Sequence, residues 1–237
     1  MENRRRAGRY GLVNPPARAA RDAPRPAYVR VSSRGVATCN DVVELRYAAR
    51  GEGRRRREAG VSDPRESALI VPVPEAEGLV GPWRERFDDS ARTGVPAHLT
   101  LLYPFLPPED VTPADVERLA ALFASVAATP YALVAVRRFS RGVLYLAPEP
   151  DGFLRELTSR IWALYPHRPP YGGAFKEVIP HLTVAQQSDH SVLDRVESRV
   201  APGLPIAAHA SEAWLMLQDE AGRWRAGHRF PLGRNGT

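Results

Sequence analysis

Cysteine is nearly absent from this 237-residue chain. Cys39 stands alone, which excludes an intrachain disulfide and a metal cage built of thiolates. Lysine is as scarce, with Lys176 set against 32 arginines; a GC-rich coding sequence explains that bias as readily as selection for phosphate binding. No apolar run reaches the roughly 18 residues that a membrane-spanning helix needs. Arg4-Arg5-Arg6 is followed by Ala-Gly-Arg-Tyr, not by the hydrophobic segment of a secretory leader. The expectation is a cytoplasmic protein without a membrane partner.

What the chain does have is positive charge, unevenly spread. Residues 1–66 hold 16 Arg against 8 Asp and Glu, a balance of +8, while the remainder carries −2 of the overall +6. A basic total is an indication of nucleic-acid binding only where the charge lies on the folded part. Residues 1–66 lack sustained periodicity, contain Pro15, Pro16, Pro24 and Pro26, and run through Arg54 to Arg57. That composition predicts a basic, disordered N-terminal extension, with an RNA-tethering arm as the functional alternative. Residues 67–237 are expected to form the folded domain.

Within that domain the elements alternate. Ser67 to Pro74 reads as a short strand, Leu79 to Thr93 as an amphipathic helix, and Ala97 to Tyr103 as a second strand. Thr112-Pro113-Ala114-Asp115 starts a helix. Strands follow at Tyr131–Arg138 and Val143–Leu146, then a helix from Asp151 to Leu164. A Pro/Gly/aromatic loop, Tyr165 to Phe175, leads to a strand over Ile179–Ala185 and a helix over Ser191–Val200. Strands near Pro205–Ala210, Ala213–Leu217 and Trp224–Phe230 close the chain. This pattern predicts an α+β fold.

Two of the strands carry one tripeptide, His98-Leu99-Thr100 and His181-Leu182-Thr183, 83 positions apart. Successive strand side chains face opposite ways, so each copy presents His and Thr on one face and turns its leucine to the core. The pattern His-x-[Ser/Thr] is weak alone, since His209-Ala210-Ser211 also fits it. The first two gain weight from apolar flanks and from equivalent places in a repeat: each is followed by loop, helix, strand, strand. His209 has no counterpart in the first half and is set aside, as are His167 and His190.

The two motifs, within Pro96-Ala-His-Leu-Thr-Leu-Leu-Tyr-Pro-Phe105 and Pro180-His-Leu-Thr-Val-Ala185, resemble those of the two-histidine (2H) phosphoesterase superfamily. The resemblance is strongest to its bacterial 2′-5′ RNA ligase branch. The final Trp224-Arg-Ala-Gly-His-Arg-Phe-Pro-Leu-Gly233 is similar to that branch's last strand, and the resemblance covers about residues 67–234. It implies two pseudo-symmetric lobes of mainly antiparallel strands with helices packed outside, and one central cleft. It further implies His98 and His181 as catalytic residues, Thr100 and Thr183 as phosphate-binding ones, and no cofactor or metal. Many relatives carry a basic residue soon after the second motif. Here the sequence reads Ala185-Gln186-Gln187, leaving that role to Lys176 or an arginine elsewhere.

Opening a 2′,3′-cyclic phosphate requires one proton taken from water and one given to the leaving ribose oxygen. A pair of histidines titrating near neutrality supplies both. The expected substrate is RNA with such an end, a small cyclic-phosphate nucleotide, or a 2′-5′ linkage, with ATP-independent ligation as the reverse reaction. Tyr171 and Phe175 in the loop, and Tyr103 after the first motif, are candidates to stack a base, although strand alternation places Tyr103 with Leu99 and Leu101, toward the core. Two other classes compete. A metallohydrolase would use His98 and His181 as ligands, but the chain lacks His-x-x-x-His spacing. A non-catalytic RNA-end or nucleotide-binding protein of the same fold is the other.

Overall fold

Alternation and capping shape most of the elements of the computed structural model, which describes residues 65–140, 142–175 and 177–233. The expectations for residues 1–66, apart from Arg65 and Glu66, and for Lys176 lie outside the described residues. The strands are β1 (Ser67–Pro72), β2 (His98–Leu102), β3 (Thr129–Phe139), β4 (Val143–Glu149), β5 (Leu182–Gln186), β6 (Ile206–Ala210), β7 (Glu212–Gln218) and β8 (Trp224–Pro231). The helices are α1 (Pro74–Phe87), the one-turn α2 (Asp89–Arg92), α3 (Pro113–Ala124), α4 (Gly152–Leu164) and α5 (His190–Val200).

α1 begins earlier than the expected Leu79. Pro74 occupies the first helical turn, where its missing N–H costs nothing, and Glu75 and Glu77 complement the helix dipole there. α3 starts as expected: Thr112 Oγ1 accepts the Asp115 N–H and the Asp115 carboxylate accepts the Thr112 N–H, a reciprocal capping box.

The strands form two antiparallel four-stranded sheets, ordered β2-β1-β7-β8 and β5-β4-β3-β6. The fold is thus α+β with two related halves, and each motif strand is the edge of its sheet, hydrogen-bonded to the strand that precedes it. The halves are not consecutive in the chain. The hairpin after the first motif, β3 and β4, joins the sheet of the second, and β7 and β8, after the second motif, complete the sheet of the first. The helices cross over as well: α1 packs on β5, and α4 packs on β2. One continuous core results, containing Leu99 and Leu101 of β2 together with Leu144, Leu146, Leu182 and Val184 of the other sheet.

The repeat extends to the irregularities. Against β1, Leu102 pairs with Leu69 and Thr100 with Ile70, so Leu101 is an extra residue. Against β4, Ala185 pairs with Leu144 and Thr183 with Tyr145, so Val184 is extra. Each motif strand therefore carries a β-bulge at the residue after its threonine, which turns two successive side chains into the core. Leu101 and Leu102, and Val184 and Ala185, are all buried. The Leu101 carbonyl left outside the regular ladder accepts a 3.0 Å bond from the buried hydroxyl of Thr158 on α4.

Candidate active site

β2 and β5, the motif-bearing edges of the two sheets, run close together. They bring His98 and His181 within electrostatic reach of one another. Register fixes which side chains share their face. Ile70 lies opposite Thr100, and Trp214 lies opposite Ile70 with Arg229 beyond it, so Thr100, Ile70, Trp214 and Arg229 form one transverse row. The Arg229 guanidinium sits 4.3 Å from the Trp214 ring centre, a cation–π contact. In the second sheet the matching row is Thr183, Tyr145 and Arg137.

The two imidazoles are held identically. Nδ1–H of His98 donates to the Pro96 carbonyl at 2.7 Å, and Nδ1–H of His181 donates to the Ile179 carbonyl, also at 2.7 Å. Both acceptors lie two residues upstream, and a carbonyl can only accept, so the proton of each neutral ring is on Nδ1. Each Nε2 is then left with its lone pair available for proton transfer. Burial lowers both histidines below their ordinary 6.5. For His98 the Arg84 guanidinium adds to the effect and the pKa falls to about 4. Both rings are accordingly neutral in the free protein at neutral pH.

The surroundings of the two histidines differ. His181 is boxed by aromatic rings, with Phe139 edge-on at 5.0 Å and Tyr145 at 5.4 Å, and these two stack on each other at 4.2 Å. His98 has a buried cation instead. Arg84 on α1 is 1% exposed and bonds the Asp88 carboxylate at 3.1 and 3.2 Å, Ser90 Oγ at 3.2 Å and the Val95 carbonyl at 3.3 Å. A small pocket of about 150 Å³ is lined by Pro72, the register partner of His98, and by Pro96, Glu212 and Trp214, without His98 itself. The end of β6 and its link to β7 also bring His209 and Ser211 to this pocket, although β6 is the strand of its sheet farthest from β5.

Tyr103 departs from the expectation by alternation. The bulge at Leu101 shifts the period by one, so Tyr103 lies half-buried on the face of His98 and Thr100, in a cluster with Ile70, Met216, Trp214 and Trp224. Its hydroxyl donates to Glu66 at 2.5 Å and its ring meets Trp224 edge-on at 6.2 Å. The loop aromatics converge on the same place. The Tyr171 N–H donates to the Tyr103 carbonyl at 2.7 Å, and the Tyr171 and Phe175 rings meet at 5.4 Å. Tyr171 has φ +52°, a left-handed conformation uncommon for a bulky residue. Among the described residues no three His, Cys, Asp or Glu side chains gather as a metal-binding group. No helix among them is long and apolar enough to cross a membrane.

Sequence reasoning missed Arg84, Tyr145, Phe139 and Trp214. Only Arg84 left a local sign: it continues the buried stripe Ala76, Val80, Arg84 of α1 at a spacing of four, with Asp88 one turn further on.

A family model described as the 2′-5′ RNA ligase superfamily matches residues 72–222, well over half of the chain and both motifs. The chain belongs to this superfamily. Both of its motif strands lie within the matched span, and the chemistry open to it is of the 2H phosphoesterase and RNA ligase type. Among solved structures, it is similar to E. coli LigT complexed with NADP+, at 19% identity and a TM-score of 0.45, over 73% of this chain and 100% of that one. The complex of E. coli LigT with 3′-AMP gives 18% identity and a TM-score of 0.45 over the same shares. The protein TT0787 of Thermus thermophilus gives 22% identity and a TM-score of 0.49, over 72% of this chain and 100% of that one. No curated protein matches this superfamily member.

Proposed function

We propose that this 2H phosphoesterase is a metal-independent phosphodiesterase that opens 2′,3′-cyclic phosphates at RNA ends or on nucleotides, or acts on 2′-5′ linkages. ATP-independent 2′-5′ ligation is the reverse reaction. One observation carries this: two imidazoles at the starts of neighbouring edge strands, His98 as the first residue of β2 and His181 immediately before β5, each tethered through Nδ1–H and each with a threonine two residues on along the same face.

In the forward direction Nε2 of His98 takes a proton from water as the water oxygen bonds to phosphorus. The bond from phosphorus to one ribose oxygen breaks, and that oxygen receives the proton carried on Nε2 of His181. His98 suits the base role because burial and the Arg84 charge keep it neutral. His181 lacks that cation, and an anionic phosphate beside it raises its affinity for a proton. The hydroxyls of Thr100 and Thr183 donate to the non-bridging phosphate oxygens as charge shifts in the transition state. Tyr103, Tyr171 and Phe175, together with Trp214, supply aromatic surface for a base.

The test is a panel of 2′,3′-cyclic mononucleotides, RNA with a cyclic-phosphate end, ADP-ribose cyclic phosphate and 2′-5′ oligonucleotides, each assayed with and without EDTA. Turnover of at least one, unchanged by EDTA, is expected. Binding without turnover across the panel would replace the enzyme with a nucleotide-binding protein, and activity lost with EDTA would replace the two-histidine mechanism with a metal-dependent one.

A further inference from the structure

The peptide leading into each histidine is held by an arginine, and at the same position. Arg84 of α1 donates from Nη2 to the carbonyl of Val95, three residues before His98. Arg155 of α4 donates from Nη1 to the carbonyl of Val178, three residues before His181, at 3.0 Å. Each arginine is neutralised by an aspartate four residues away, Asp88 for Arg84 and Asp151 for Arg155 at 2.9 Å. The two arginines occupy different turns of their helices, so the same contact is reached by two local routes. The carbonyl one residue further along, Pro96 or Ile179, is the one that accepts the histidine Nδ1–H.

We propose that Arg84 and Arg155 are positioning residues, a pair of clasps that aim the Pro96 and Ile179 carbonyls and thereby fix the Nδ1–H tautomer of His98 and His181. The inference rests on the assignment of these histidines as the acid–base pair. A clasp of this kind acts through a carbonyl and touches no substrate. Loosening it lets the ring rotate or exchange its proton between nitrogens, which removes the productive Nε2 lone pair for part of the time. The guanidinium suits the task because its fork bonds a carboxylate and a carbonyl at once, which a lysine ammonium does with less geometric control. The two clasps differ in cover, Arg84 being enclosed and the Arg155 side chain 38% exposed.

Arg155 is therefore the side chain to change, since its variants retain the buried core. In the full chain, Arg155→Gln and Arg155→Lys are compared with wild type by long-range 1H–15N NMR of the imidazole nitrogens. Their kcat and KM for a 2′,3′-cyclic mononucleotide are measured alongside. The expected result is a pure Nδ1–H tautomer for both rings in wild type. In Arg155→Gln, His181 becomes a mixture, His98 is unchanged, and kcat falls about tenfold with KM within about twofold, as for a small misplacement of a catalytic group. Arg155→Lys recovers part of both. Arg84→Lys reports the mirror effect on His98. A pure Nδ1–H tautomer of His181 in Arg155→Gln overturns the clasp, whatever happens to kcat. Absence of turnover in wild type would remove the acid–base assignment, and the NMR comparison would still decide the clasp.

Discussion

The titration of His98 is tied to folding, and the tie has a sign and a size. In an unfolded chain the imidazole titrates near 6.5, whereas in the fold burial and then the Arg84 charge hold it to about 4. Below 6.5 the unfolded chain takes up a proton that the folded one refuses. Stability from this group is therefore fully present above pH 6.5 and is lost as the pH falls toward 4. The interval between 6.5 and about 4 converts to about 3 kcal/mol. His98 is partly exposed, and solvent screening reduces the expected contribution to about 1–2 kcal/mol. His98→Gln removes the titration. Urea unfolding of both proteins at about pH 7.5 and about pH 4.5 isolates the effect, because His181 and the carboxylates contribute to both. Wild type is expected to lose about 1–2 kcal/mol more than the variant over that drop, or about 0.5–1 M in urea midpoint. Equal losses in the two proteins would refute the reasoning.

Three further outcomes follow from particular contacts. Thr158→Val deprives the Leu101 carbonyl of its 3.0 Å partner inside the core and should cost about 1–3 kcal/mol in chemical denaturation. Thr158→Ser keeps the hydroxyl and should cost visibly less. Phe139→Ala opens the aromatic box around His181; water then restores its protonated form, so the pKa of His181, followed by NMR titration, should rise toward its ordinary 6.5. Gly142, at φ +79° in the β3–β4 turn, would place an alanine Cβ 2.0 Å from the Gln187 carbonyl oxygen. Gly142→Ala should destabilise the fold by more than about 1 kcal/mol in thermal unfolding, since left-handed backbone and a backbone clash add.

Much of this fold was legible in the sequence because its signals are local. The cap at Thr112, the apolar stripe of α4 and the apolar flanks of both motifs each act within a few residues, and the described elements lie close to where those signals put them. The face of Tyr103 was not legible. It depends on a bulge at Leu101, whose cause is the packing of Leu101 and Leu102 together into a core shared with the other sheet. The exchange of β3–β4 and β7–β8 between halves was equally hidden, since a repeat of element types does not say which sheet a strand joins. His98 and His181 were read from a duplicated tripeptide. The carbonyls that orient them and the arginines that hold those carbonyls are backbone and long-range features, with no motif of their own.

The central claim, that His98 and His181 act together as base and acid, is tested most directly by His98→Ala and His181→Ala on whichever cyclic phosphate the wild type turns over. Each variant is expected to fold, to bind the substrate, and to lose about 10²–10⁴-fold in kcat. Removing both should cost little more than removing one, because the two work as a unit. Either single variant retaining a rate near that of wild type would contradict the account.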